Sequence, residues 1–185
     1  MSDSIMVGCD PHDKTMALKF AAGREPVKHR TFGGDSAGRQ AMIDWLGELQ
    51  VRQQADRVLF AYEASSRGFG LHDDLRQAGI ECFVLAPTRI ARSPKQARGK
   101  NDQRDASQIL ELLRAHLLAG DDLPAVWVPD PRTRDDRELA RMRLTVANRL
   151  TLVKNQVQSL LKRNELRPPD SEIPTCPFPG WQTND

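Results

Sequence analysis

Apolar and polar positions along the chain fall into two regimes. Up to residue 86 the apolar residues come in short runs bounded by turn signals. Beyond residue 101 they recur every three or four positions. Ile5-Met-Val-Gly-Cys9 is a buried-strand pattern that stops at Asp10. Thr15–Ala21 alternates and Val27–Phe32 continues the same style, so the three runs predict an antiparallel meander. Ser36 is placed to cap a helix whose apolar face is Met42, Ile43, Leu46 and Leu49. Arg57–Tyr62 is a second continuous strand, ending at Glu63. Leu71 and Leu75 mark a short helix closing at Gly79, and Ile80–Ala86 is a further strand stopped by Pro87. Strand, helix and strand following a meander predict an α/β sheet with parallel members.

The second regime is helical. A helix is predicted from about Asp102 to Ala119, then a linker marked by Pro124, Pro129 and Pro131. Thr133 with Asp136 reads as a capping box for a last helix. Its seam is Leu139, Met142, Val146, Leu150, Val153, Val157 and Leu160, close to coiled-coil spacing. The domains expected are therefore an α/β body at 1–125, a basic helical coiled-coil segment at 130–167, and a Pro-rich tail at 168–185 without stable order.

Charge sharpens this division. The net +2 is uneven: residues 1–85 carry 10 basic and 12 acidic side chains, residues 86–185 carry 17 and 13. Arg89, Arg92, Lys95, Arg98 and Lys100 crowd the connection before the Asp102 helix, which is expected to be mobile without nucleic acid. Arg141, Arg149 and Lys154 stand among the basic flanks of the last helix. Such a surface suits a polyanion. Aromatic residues are only 5%, which argues against a base-stacking platform and in favour of a folded RNA backbone. No apolar run approaches the roughly 20 residues of a membrane span. The three cysteines, Cys9, Cys82 and Cys176, form no C-x-x-C pair, and a reducing cytoplasm is expected.

The candidate chemistry lies in four carboxylates. Asp10 and Glu63 end strands, and Asp102 and Asp105 share one face at a helix start. Acids that close repel unless a cation or proton intervenes. Hard cations take oxygen ligands, so Mg²⁺ or Mn²⁺ is the expected occupant if the strands are adjacent and parallel. A pair of such ions would clamp the attacking and leaving oxygens of a phosphodiester exchange. Each acid also has a structural alternative: a turn acid at Asp10 beside Pro11, an ion pair of Glu63 with Arg67, a helix cap at Asp102. His12 reads as a solvent-facing turn residue and Tyr62 as core.

The ordered words Val-Gly-x-Asp10, Tyr-Glu63-Ala-Ser, Leu-Ala-Pro87 and Gly-Lys-Asn-Asp102-Gln-Arg-Asp105-Ala resemble those of the DEDD transposases. These are the recombinases of bridge-RNA-guided insertion sequences. The resemblance covers about residues 4–165. It implies a RuvC-like, ribonuclease-H-type domain whose four acids bind divalent metal. It also implies DNA strand cleavage and exchange, a guide (bridge) RNA, dimers or tetramers assembled through the helical segment, and a bacterial cytoplasmic setting at the nucleoid. Asn101 and Ser65-Ser66 stand where the family commonly has Thr and Thr-Gly. The family's second domain carries a serine regarded as the nucleophile. No serine here fits that role, so the chain is expected to be a fragment. The rival readings are a stand-alone Holliday-junction-resolving nuclease and a non-catalytic RNA-binding and dimerisation module. A sugar-kinase or actin-like ATPase is disfavoured because Pro-His-Asp, not a glycine-containing loop, follows Asp10.

Overall fold

The computed structural model describes residues 4–23, 25–65, 68–90 and 102–166, the last with side chains from Asp105 on. It divides into two compact units, Met1–Val128 and Pro129–Asp185.

The first unit is built on a five-stranded sheet of order β3-β2-β1-β4-β5. β1 (Ser4–Pro11), β2 (Thr15–Ala22) and β3 (Lys28–Gly33) form the antiparallel meander. β4 (Arg57–Glu63) then pairs parallel with β1, and β5 (Glu81–Leu85) parallel with β4. α1 (Ser36–Gln53) and α2 (Gly70–Gln77) are the crossovers, and α3 (Asp102–Ala119) follows β5. This is the mixed α/β sheet with flanking helices that the strand and helix pattern predicts.

Alternation along the strands separates two cores. On one face Ile5, Val7, Cys9, Phe60 and Tyr62 pack with Met42, Trp45 and Leu46 of α1 and Leu71 and Leu75 of α2. On the other, Met6, Leu59 and Ala61 pack with Ile109, Leu110 and Leu113 of α3. Cys9 and Cys82 are both buried, as their apolar contexts predict. Past α3, the chain returns to cover the edge of β5: Ala86 N–H donates to Pro124 O at 2.8 Å and Val126 N–H to Val84 O at 2.8 Å. A covered edge leaves no open ladder for another chain on that side.

Two expected helix starts shift. The α1 cap is Asp35, not Ser36: its carboxylate accepts from Gly38 N–H at 2.8 Å. In the second unit α4 runs Pro131–Arg163 and is capped by Asp130, which accepts both Thr133 N–H (3.0 Å) and Thr133 Oγ–H (2.7 Å). Thr133 is thus the recipient of the cap, and Pro131 occupies the first turn, where its missing N–H costs nothing. α4 buries no residue within the chain; Leu139, Met142, Val146, Leu150, Val153, Val157 and Leu160 are all exposed, and so are Leu144 and Leu152, which lie off the seam. The Pro-rich tail at 168–185 and the basic connection at 91–101 lie outside the described residues.

Candidate active site

β1 and β4 are adjacent and parallel, and their register pairs Cys9 with Tyr62. Asp10 and Glu63 are the next residue on each strand, so the two acids leave the sheet side by side at its carboxyl edge, where sites of open α/β sheets gather. Both lie on the α3 face. Asp10 alternates with Gly8 and Met6, and Glu63 with Ala61 and Leu59, which belong to the α3 core. Tyr62 faces the opposite core, where burial pushes its phenol pKa up.

Neither strand stops short of its acid. β1 stays paired with β2 through Asp10↔Ala17 and Pro11↔Met16, and Ala64 N–H donates to Leu85 O at 2.9 Å just beyond Glu63. The backbone carrying each carboxylate is therefore fixed on at least one side.

Gly8 is where α3 meets β1. A Cβ there would lie 2.4 Å from Ala106 O and 2.5 Å from Leu110 N. Only a glycine lets α3 approach β1 this closely. Ala106 is fully buried at that contact, and Asp105, half-buried, precedes it. Asp102 opens the helix one turn earlier. Arg114, further along α3, donates to Glu25 O at 3.0 Å and fixes the helix across the β2–β3 side of the sheet.

His12 is the residue the sequence reading undervalued. It lies in the β1–β2 turn, with its N–H donating to Thr15 O at 2.8 Å. Its imidazole does not simply face solvent: Nε2 is 3.0 Å from Asp10 Oδ2, and the two side chains are 36% and 14% exposed. The available signal was the i, i+2 spacing, which puts both on one face of an extended segment. A hydrogen-bonded carboxylate is held in one orientation, which is how outer partners prepare a metal ligand.

Among the described residues no group of three or more His, Cys, Asp or Glu side chains is gathered closely enough to hold a metal ion. The donor set is nonetheless hard oxygen on fixed backbone, the chemistry that fits Mg²⁺ or Mn²⁺ rather than a soft metal. Arg89 sits in a 3-10 turn (Pro87–Arg89) directly after β5, at the same edge of the sheet as the acids. Arg92, Lys95, Arg98 and Lys100 lie outside the described residues. Arg141, Arg149 and Lys154 are on α4, in the other unit.

The family model of the IS110-type DEDD transposases, described as transposase, matches residues 7–164. The chain belongs to this family. The candidate transposase y4qE of Sinorhizobium fredii is 38% identical over 145 residues, covering 71% of this chain and 36% of that protein. A second from the same organism, y4rJ, is 28% identical over 78% of this chain and 37% of its own length. The transposase for insertion sequence element IS1533 of Leptospira borgpetersenii is 24% identical, over 62% and 32%. This DEDD transposase chain thus spans about a third of the length of the curated relatives it matches. Among solved structures, Thermus thermophilus RuvC in complex with a Holliday junction substrate aligns with a TM-score of 0.45 at 12% identity, over 65% of this chain and 99% of that one. No helix among the described residues is long and apolar enough to cross a membrane.

Proposed function

We propose that the chain carries the catalytic acids of a DNA transposase that cuts and exchanges DNA strands with divalent metal under the guidance of a bridge RNA. The observation that supports this most is the adjacency of Asp10 and Glu63 on parallel strands, with Ala106 and Leu110 of α3 drawn against β1 at Gly8. In this reading residues up to about 125 are the catalytic body and 130–167 the assembly and RNA segment. Asp10, Glu63, Asp102 and Asp105 hold Mg²⁺ or Mn²⁺. When bound, the metal supplies Lewis-acid stabilisation of charge on phosphate oxygens. The chain's own residues prepare that site: His12 orients the Asp10 carboxylate, the β4–β5 ladder fixes Glu63, and Gly8 sets the height of Asp105 above the sheet. Arg89 and the basic stretch through Arg92, Lys95, Arg98 and Lys100 neutralise phosphates beside the acids.

The second unit supports assembly. The apolar seam of this 33-residue helix is exposed along its length, and in this reading it is covered by the same seam of a second copy. Pairing brings Arg141, Arg149 and Lys154 of two helices into one basic surface for the guide RNA.

Metal is tested by following the melting temperature while Mn²⁺ is added. Binding to the native state alone raises it by mass action. The wild type should shift upward and the Asp10→Asn, Asp105→Asn double variant should not. An equal shift in both, or none in the wild type, refutes the metal site.

A further inference from the structure

On the α1 side of the sheet, away from the face that bears the acids, β3 and α1 enclose a cleft of about 330 Å³. Its floor is aromatic: Phe20 and Trp45, with ring centroids 5.0 Å apart, are buried in the core. Its rim is cationic, with Lys28 and Arg30 from β3 and Arg52 from α1. The Arg30 guanidinium lies 4.8 Å over the Trp45 ring and 5.0 Å over Phe32. Register explains the placement. Lys28 pairs with Phe20 and Arg30 with Leu18, so these alternate β3 side chains share the face of α1.

Two properties make this more than a solvated edge. First, no acidic side chain lines the cleft among the described residues, and neither Arg30 nor Arg52 is paired with a carboxylate there. Lys28 has only an exposed contact to Glu25 at 3.5 Å. Second, the Arg30 guanidinium is held against two rings, Trp45 and Phe32, while Arg30 as a residue stays exposed, so an unpaired base can reach it from solvent. The volume falls within the roughly 300–1,000 Å³ of small-ligand sites, which suits one nucleotide.

We propose that this cleft binds a nucleotide of a single-stranded nucleic acid, with the base stacked on Arg30 and its phosphate held by Lys28 and Arg52. The inference takes from the functional reading only the class of ligand. It adds a contact for an unpaired strand on the side of the domain opposite the acids.

The test is fluorescence anisotropy of labelled 12-nucleotide single strands, DNA and RNA in separate arms, with the whole chain in EDTA. Metal plays no part there, so failure of the metal site and failure of this cleft are distinguishable. Arg30→Lys keeps the charge but loses the planar platform, and should weaken binding about tenfold with little change in salt slope. Lys28→Gln with Arg52→Gln removes both partners of that one phosphate and should lower the log–log salt slope by about 0.7, at roughly 0.7 per phosphate in a single strand. Circular dichroism establishes that each variant is folded. These losses in one arm identify the strand as DNA or RNA, and losses in both establish the shared chemistry. Wild-type affinity of the Arg30→Lys variant in both arms overturns the stack. A duplex bound with the same sensitivity to these substitutions overturns the single-strand assignment. Displacement of the strand by a 12-residue polyglutamate peptide at equal concentration also overturns it.

Discussion

The two units use the same apolar residue types to opposite ends. In the body, Leu46, Leu59, Leu75, Leu85 and Leu110 are all but inaccessible to solvent. In α4, Leu139, Leu144, Leu150, Leu152 and Leu160 are between 48% and 70% exposed. Both patterns are written at helical or strand period, so periodicity alone does not distinguish them. The body closes its apolar faces internally, because a sheet with helices on both sides has somewhere to put every stripe. A single helix has no second layer. The lesson is that the same periodic pattern is closed within the body and left exposed along α4, which is the observation behind the pairing proposed above.

The contrast is broken most strongly by making the same change in both places. Leu110→Ala removes a fully buried side chain between α3 and the sheet, and should destabilise the body by about 2–5 kcal/mol. Leu150→Ala should alter the body's unfolding by less than about 0.5 kcal/mol. Urea melts followed by near-ultraviolet circular dichroism separate the two. Comparable losses would mean that α4 packs into the core of its own chain.

The next effect concerns assembly. Leu150→Asp with Val157→Asp should convert the wild-type oligomer to monomer in sedimentation equilibrium. Arg141→Gln, Arg149→Gln and Lys154→Gln together should leave the oligomer intact and lower the salt slope of RNA binding by up to about 3. A wild-type monomer at high concentration contradicts the pairing, and an unchanged slope contradicts the RNA surface.

The smallest effect is on the α4 cap. Asp130 is held below its ordinary carboxylate range, first by the Thr133 hydroxyl and then by the Thr133 backbone N–H. A group whose folded pKa is depressed contributes stability above its unfolded pKa, and that contribution is lost as pH falls through the folded value. α4 helicity should therefore decline on acidification below about pH 4, the ordinary Asp range, more in wild type than in Asp130→Asn. Identical acid profiles for the two would remove the cap from the account.

Much of this was legible in advance for reasons tied to particular residues. The five strands and the helices at 36–53, 70–77 and 102–119 follow from runs such as Arg57–Tyr62 and from the 3.6-residue recurrence of Met42, Leu46 and Leu49. The meander was readable because Thr15–Ala21 alternates. Parallel adjacency of β1 and β4 was readable only as a condition, because nothing local in either strand names its neighbour. The caps were misplaced where two good capping residues compete, Asp35 with Ser36, and where Pro131 was taken for linker punctuation rather than a first helical turn. His12 and Arg30 were passed over for a common reason: their meaning depends on a partner, Asp10 Oδ2 in one case and the Trp45 ring in the other, supplied by backbone geometry.

The central claim is the proposal that Asp10, Glu63, Asp102 and Asp105 form a divalent-metal site. Crystals of the chain soaked in Mn²⁺ and measured at a wavelength where manganese scatters anomalously address it directly. The account predicts an anomalous peak within about 2.0–2.4 Å of carboxylate oxygens of both Asp10 and Glu63, on the α3 side of the sheet, and its loss in Asp10→Asn. Manganese bound only elsewhere on the surface, or the same peak in the Asp10→Asn crystal, would contradict it.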